Sequence, residues 1–418
     1  MDFNRYRDVL AERVGRLALP FDDDEYRRRR AAVADAMAEA GLAALLVTDA
    51  ADICYLTGYN TFEVSVHTAL LLTAPGARQD RPQGEAILQV PSIETGPAVT
   101  TARVDEVFGY RWEAADGAIE QMAGIIRDLS LAGSGAAGVA GRAPRIGTDH
   151  WGPALRCGFR DGLAAALPGV TLADASGLVD AVKIVKSEAE IAMLQASARI
   201  TEAGIAAAEQ RIAPGIADQA LAAAGSAAML DAGGEFMSLQ PIVTAGWRSS
   251  VIHCNHQRHT VAEGDPVFLE FGAAWHRYTA PMMRTRVAGT PSDEMRRTAG
   301  VIRDIHEALV AHMRPGVTMD AAAAAADQAL APMAERAFFS GVYGYTVGIQ
   351  FPPSWVEASG YIARGVEREF AENMVFHLPL MLRIPGEWGI GMSNTVRVTA
   401  DGGEPLTRND LRLAGVTG

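Results

Sequence analysis

Apolar positions in the first 180 residues come in short runs separated by helical stretches. From Asp24 to Gly41 composition and period predict a helix, with Asp23 or Asp24 as its N-cap and Gly41 ending it. The arginines Arg27 to Arg30 lie in its first turns and read as a solvated face rather than a polyanion site. Apolar runs at Ala43–Thr48, Ile53–Leu56, Ala69–Thr73 and Ala86–Val90, each bounded by Gly, Pro or Asp, predict strands. Ile119–Leu131 predicts a helix and Arg145–Gly147 the start of another strand, which together make an α/β module. Gly133-Ser134-Gly135-Ala136-Ala137-Gly138 spells GxGxxG, but it follows a helix and precedes a strand. A dinucleotide fingerprint needs the reverse order, so this is a Gly/Ala loop.

A second pattern begins near residue 183. Ser187 followed by Glu190 is a capping box, opening a long amphipathic helix that runs to about Ile212 and stops at Pro214-Gly215. Two more helices are predicted at Ala217–Ala232 and Ser292–Met313, and a third through the Ala-rich stretch after Met319. Strand-like runs lie at Ser238–Thr244, Asp265–Gly272, Met283–Ala288, Asn373–Pro379 and Asn394–Thr399. Helices interspersed with runs that pair as hairpins predict an α+β half, so the chain divides into residues 1–182 and 183–418.

Composition narrows the chemistry. With 418 residues and 49% apolar composition the chain fills more than one core. Lys+Arg number 37 against 50 Asp+Glu, a formal charge of −13, which argues against general affinity for nucleic acid or anionic membranes. Lys183 and Lys186 are the two lysines, and neither follows glycine, so no Walker A loop is present. Both stand in Val-Lys-Ile-Val-Lys-Ser-Glu, which reads as a linker and not as a Schiff-base site. Cys54, Cys157 and Cys254 are scattered and lack CxxC spacing, which excludes a disulfide framework or zinc knuckle and predicts a reducing compartment. The N-terminus has no apolar h-region and no apolar run reaches about 18 residues, so a cytoplasmic protein is expected.

The densest polar segment runs from Gly246 to His259. His253, His256 and His259 would share a face on a helix, as zinc ligands can, yet the segment has no helical period and is flanked by Gly246 and Gly264. A three-histidine metal site, one or two functional histidines, and a solvated loop all remain open. Glu270 stands inside the apolar run Val267–Phe271, where a strand puts it on one face with Phe268. A buried carboxylate is costly unless paired, so Glu270 marks a site or an edge. Burial raises its pKa and a nearby cation lowers it, so its charge stays open at this level.

The order and spacing of these strings resemble a known superfamily. They are Pro241-Ile242-Val243, Gly246, Arg248-Ser249 and His253; Gly264-Asp265 and Glu270-Phe271-Gly272; Tyr278 and Arg284-Thr285; Gly344 to Ile349; Asn373 to Phe376; and Gly389 to Thr399. This set resembles the pita-bread fold of methionine aminopeptidases, prolidases and creatinase. The resemblance implies an α+β C-terminal pita-bread domain behind a smaller α/β creatinase-type N-terminal domain. Peptidases of this fold hold two metal ions with two Asp, one His and two Glu. By register those positions are Glu270, Pro281, Tyr345, Pro379 and Ser393, and proline has no side-chain donor. No metal and no cofactor are therefore expected.

Local strings resemble ectoine hydrolase, within a metal-free branch, more than creatinase. They are Ser65-Val66-His67-Thr68, Arg277 to Pro281, and Gly344-Tyr345-Thr346-Val347-Gly348 continuing to Phe351-Pro352-Pro353-Ser354-Trp355. Ser393-Asn394 and Asn373–Met381 depart from that branch. The resemblance implies hydrolysis of a non-peptide C–N bond in a small cationic or zwitterionic metabolite. Glu270 would be nucleophile or base, His253 the proton shuttle, and Tyr345 a hydrogen-bond donor to the intermediate. Phe62, His67, Trp247, Tyr278 and Trp355 would wall the ligand and Arg284 would hold a substrate carboxylate. A creatinase-like amidinohydrolase, an Xaa-Pro dipeptidase, an osmolyte lyase and a non-catalytic peptide-binding module are the alternatives. The resemblance also implies a homodimer whose N-terminal domain, through His67, reaches the partner's cleft.

Overall fold

In the computed structural model, residues 1–76, 83–129, 131 and 143–416 are described. Two compact units, Met1–Val182 and Lys183–Gly418, make up the chain.

The first unit is built on one mixed sheet in the order β4-β3-β2-β1-β5-β6. Its strands are β1 (Ala44–Val47), β2 (Ala69–Thr73), β3 (Ala86–Pro91), β4 (Glu106–Tyr110), β5 (Arg145–Thr148) and β6 (Thr171–Asp174). Only β2 runs against its neighbours. β1, β2 and β3 are buried at every position, as continuous apolar runs require when both faces of a sheet are covered. The first predicted helix spans Asp23–Glu39, and its cap is Asp22, one residue earlier than expected, whose carboxylate accepts from the Glu25 N–H.

The strand expected at Ile53–Leu56 is instead inside the helix Ala50–Thr57. Asp49 caps that helix by accepting from Ala51 and Asp52 N–H, and Gly58 ends it at φ 78°. Burial on all sides had removed the periodicity that separates helix from strand. The Gly133–Gly138 loop lies outside the described residues.

In the second unit two sheets form the frame. One has the order β19-β11-β8-β7, from β7 (Ile242–Ala245), β8 (Pro266–Phe271), β11 (Met282–Ala288) and β19 (Ala414–Val416). The other has the order β13-β12-β14-β17-β18, from β12 (Val342–Val347), β13 (Val356–Ala363), β14 (Val375–His377), β17 (Thr395–Thr399) and β18 (Gly402–Pro405). Two-stranded pieces are β9 (Ala274–Trp275) with β10 (Tyr278–Thr279), and β15 (Leu380–Ile384) with β16 (Trp388–Met392).

Strand alternation separates an outer from an inner face in each layer. Val267, Leu269 and Phe271 of β8 pack with Ile200, Ile205, Leu221 and Met229 from the helices Glu188–Glu209 and Asp218–Asp231. Phe268 and Glu270, one residue out of step, face inward. In the other layer Leu380, Leu382 and Ile384 of β15 join a core with Ile302, Ile305 and Leu309 of the helix Asp293–His312. Met381 faces the opposite way and packs on Phe268 and Met283.

Ser187 and Glu190 form the expected capping box. The preceding lysine-bearing segment is not a free linker, because Lys186 is 2% exposed and its ammonium meets the Glu357 carboxylate at 2.6 Å. The strand β12 shows no clean alternation in sequence, and irregularities at Val342/Gly344 and Tyr345/Val347 in its pairing with β13 account for that.

Candidate active site

The inner faces of β8, β12, β14 and β15 bring together a carboxyl, a phenol, an imidazole and a guanidinium. Glu270 is 8% exposed, lies opposite Ile242 and Met283 in the sheet, and makes no side-chain hydrogen bond among the described residues. Burial pushes its pKa up to about 8, and Arg383 works against that shift.

Tyr345 on β12 is paired in register with His377 on β14. The Tyr345 oxygen accepts from Trp355 Nε1 at 2.9 Å and is 2.8 Å from His377 Nδ1. His377 Nε2 is 2.6 Å from Ser393 Oγ, which accepts the Met283 N–H at 2.7 Å. Met283 is the residue opposite Glu270, so the chain Trp355–Tyr345–His377–Ser393 ends beside the carboxyl strand. Burial lowers the His377 pKa to about 3 and keeps the ring neutral, while burial and then the Glu270 charge raise Tyr345 well above the usual phenol value.

Two proton arrangements satisfy this chain. Either Tyr345 donates to Nδ1 and Nε2–H donates to Ser393, or Ser393 donates to Nε2 and Nδ1–H donates to Tyr345. In the second, Tyr345 accepts from both Trp355 and His377, and its own hydroxyl hydrogen is left for a ligand.

These residues do not fit a dinuclear metal centre. Of the five family ligand positions only Glu270 offers a carboxylate, and the Tyr345 and Ser393 oxygens are already bridged by His377. Both His377 nitrogens are engaged, and among the described residues no group of three or more His, Cys, Asp or Glu side chains could hold a metal ion.

Trp355, 1% exposed, joins Tyr345, and its ring is so close to Gly272 that a Cβ there would come within 2.9 Å. Other candidates are placed elsewhere. His253 is exposed on a turn at φ 54° and makes no side-chain hydrogen bond among the described residues. Its loop is irregular, as expected from the missing period, and is held by Asp218, whose carboxylate accepts from Gln257 and His259 N–H. Trp247 is 54% exposed on a short 3-10 turn, Gly246–Ser250. The Tyr278 hydroxyl donates to Glu190 at 3.0 Å, which ties it to the long helix.

The substrate-clamp expectation for Arg284 is corrected. Arg284 lies opposite Leu269, hence on the outer face, and its guanidinium meets Glu209 at 2.9 Å. Arg286 shares that carboxylate. Arg284→Met is therefore expected to cost about 1 kcal/mol of stability in urea melts and leave KM within about twofold. In the first unit Phe62 is 79% exposed. His67 is buried, stacks on Phe159 at 3.9 Å, and has no hydrogen-bond partner on either ring nitrogen among the described residues. Burial, and then Arg156, lowers its pKa to about 4.

His377 and Arg383 escaped the sequence reading. Each is a polar residue in the otherwise apolar stretch Met374–Ile384, which is the signal that could have marked them. Arg383 makes no side-chain hydrogen bond or ion pair among the described residues, and its Nε is buried without a partner.

Comparison with known proteins agrees with the two-unit architecture. The creatinase/prolidase N-terminal domain model matches residues 29–185. The uncharacterized hydrolase/peptidase y4tM of Sinorhizobium fredii is 29% identical over 406 residues, covering 94% of this chain and 98% of that one. Ectoine hydrolase of Halomonas elongata is 25% identical over 408 residues, covering 93% and 97%. The crystal structure of dipeptidase PepE from Mycobacterium ulcerans superposes with a TM-score of 0.76 at 26% identity, covering 95% of this chain and 100% of that one. No helix among the described residues is long and apolar enough to cross a membrane. The model of metallopeptidase family M24 matches residues 192–400, half of the sequence, and the chain belongs to that family with the pita-bread fold.

Proposed function

We propose that the protein hydrolyses a non-peptide C–N bond in a small cationic or zwitterionic metabolite, most closely an ectoine-type ring opening, without a metal ion. The observation that carries this is the replacement of the family's ligand set by one buried carboxyl beside the Trp355–Tyr345–His377–Ser393 chain. The likeness to the Halomonas elongata ectoine hydrolase along almost the whole chain supports it.

An amidinium carries delocalised positive charge and an electrophilic carbon, and a carboxylate suits it as counter-ion and as base or nucleophile. Acting as base, Glu270 takes one proton from water as the hydroxide oxygen bonds to the amidinium carbon. Collapse breaks the C–N bond and returns that proton to the departing nitrogen, and the intermediate's hydroxyl proton follows it through the same carboxylate, so a neutral amide and an ammonium result. Tyr345, held protonated and free to donate when His377 and Trp355 both donate to it, holds the added oxygen. With His253 on an exposed turn, proton return falls to Glu270 itself.

The likeness to a dipeptidase favours a second reading, peptide hydrolysis. A mass-spectrometric screen over ectoine, hydroxyectoine, creatine and Xaa-Pro dipeptides, with metal analysis of the same sample, separates the two. Ring opening of an ectoine-type compound at full rate after exhaustive chelation is expected. Dipeptide cleavage restored only by manganese or cobalt would return the protein to the metallopeptidases.

A further inference from the structure

The inner face holds a cation that the proposed chemistry does not use. Arg383 shares a face of β15 with Met381, because the two are two residues apart on one strand. Met381 packs on Phe268 and Met283. Phe268 is two residues from Glu270 on β8, and Met283 lies directly opposite Glu270. Strand alternation therefore aims the Arg383 and Glu270 side chains into the same inner layer, and each senses the other's charge. They do not form a direct ion pair, since no N···O separation between them is within 4.0 Å. Neither makes a side-chain hydrogen bond among the described residues, and Arg383 Nε is buried and unpartnered.

Arg383 is half-buried with its Nε enclosed and unpartnered, and a guanidinium so placed gains where a ligand supplies oxygens to its donors. Its planar fork matches a carboxylate bidentately. A purely cationic ligand would meet Glu270 favourably and Arg383 unfavourably. A zwitterion places one opposite charge against each group and leaves no net uncompensated charge in the layer.

We propose that Arg383 is the substrate-carboxylate anchor, so that the site takes a zwitterion whose cationic C–N end lies on Glu270 and whose carboxylate lies on Arg383. This rests on the function proposed above for the same site. Arg383 would be a specificity-determining residue, and it takes the role the sequence had suggested for Arg284.

Calorimetry and steady-state kinetics with ectoine and its methyl ester test it, on the wild-type protein and on Arg383→Met, with Arg383→Gln as a second variant should the first fail to fold. The wild type is expected to bind the acid about 10- to 100-fold more tightly than the ester. Either variant should erase that preference and leave ester affinity within about twofold. Equal wild-type affinity for acid and ester, binding of neither, or a preference that survives both variants overturns the anchor. An Arg383-dependent preference in binding without turnover would sink the hydrolase reading alone. Turnover of acid and ester at equal kcat/KM, unaffected by Arg383→Met, would sink the anchor alone.

Discussion

Glu270→Gln is expected to lower turnover by about 10³- to 10⁴-fold while the far-ultraviolet circular dichroism stays that of the wild type. Glutamine keeps the shape of the side chain and removes its ability to accept a proton or attack carbon. The pH dependence follows from the folded-state pKa of about 8, raised by burial from the usual 4.5. Because the reaction needs the carboxylate, kcat/KM should rise with pH and level off above about pH 8. The profile of kcat should lie at lower pH, since a bound cation favours the charged form.

Stability runs the other way. A group whose pKa is raised on folding contributes fully below its unfolded value, and that contribution is lost as pH rises through the folded value. The wild-type melting temperature should therefore fall relative to Glu270→Gln between about pH 4.5 and pH 8, and the difference should then level off. Turnover in labelled water distinguishes the two roles left to this residue. Direct attack followed by hydrolysis at the Glu270 acyl carbon would put solvent oxygen into that carboxyl, and base catalysis would leave it unlabelled. Full activity in Glu270→Gln would remove Glu270 from the chemistry altogether.

The largest expected effect on stability belongs to Lys186→Met. Its ammonium is fully enclosed, donates to the Lys183 carbonyl at 2.7 Å, and pairs with Glu357 at 2.6 Å, which also accepts from Ser359 Oγ at 2.9 Å. Removing one partner leaves a buried carboxylate without its counter-ion, a loss of about 3–5 kcal/mol in urea unfolding. Replacing both, as Lys186→Met with Glu357→Leu, should recover most of that loss, because the desolvation of two charges is then avoided. A loss below about 1 kcal/mol in the single variant would show that water reaches and screens the pair.

Much of the framework was legible along the chain because local rules act over a few residues. The Ser187/Glu190 capping box announces its helix, and the single carboxylate Glu270 inside the apolar run Val267–Phe271 announces a strand with one special face. Ile53–Leu56 misled because a helix buried all round has no polar face to report its period. The strand β12 gave little sign of itself because its pairing irregularities break the period of two.

The site was legible in part. Glu270, Tyr345 and Trp355 stood out along the chain, and the structure joins Tyr345 to Trp355 by a hydrogen bond. Arg284 was credited with a role that its neighbour strand forbids, since only the sheet register shows that Leu269 and not Glu270 lies opposite it.

By itself the sequence determined which residue types stand at the positions that the resemblance assigns to the family's ligands, one carboxylate among prolines and hydroxyls. It also determined that Glu270 sits in a strand with Phe268 on its side. Tertiary structure alone decided that His377 spans Tyr345 and Ser393, which are 32 and 16 residues from it, and that Arg383 shares the strand face of Met381, which packs on Phe268 and Met283. Alternation fixes the face on which a side chain lies. The partner it meets there is set by sheet register and by how the layers pack, and those are properties of the whole fold.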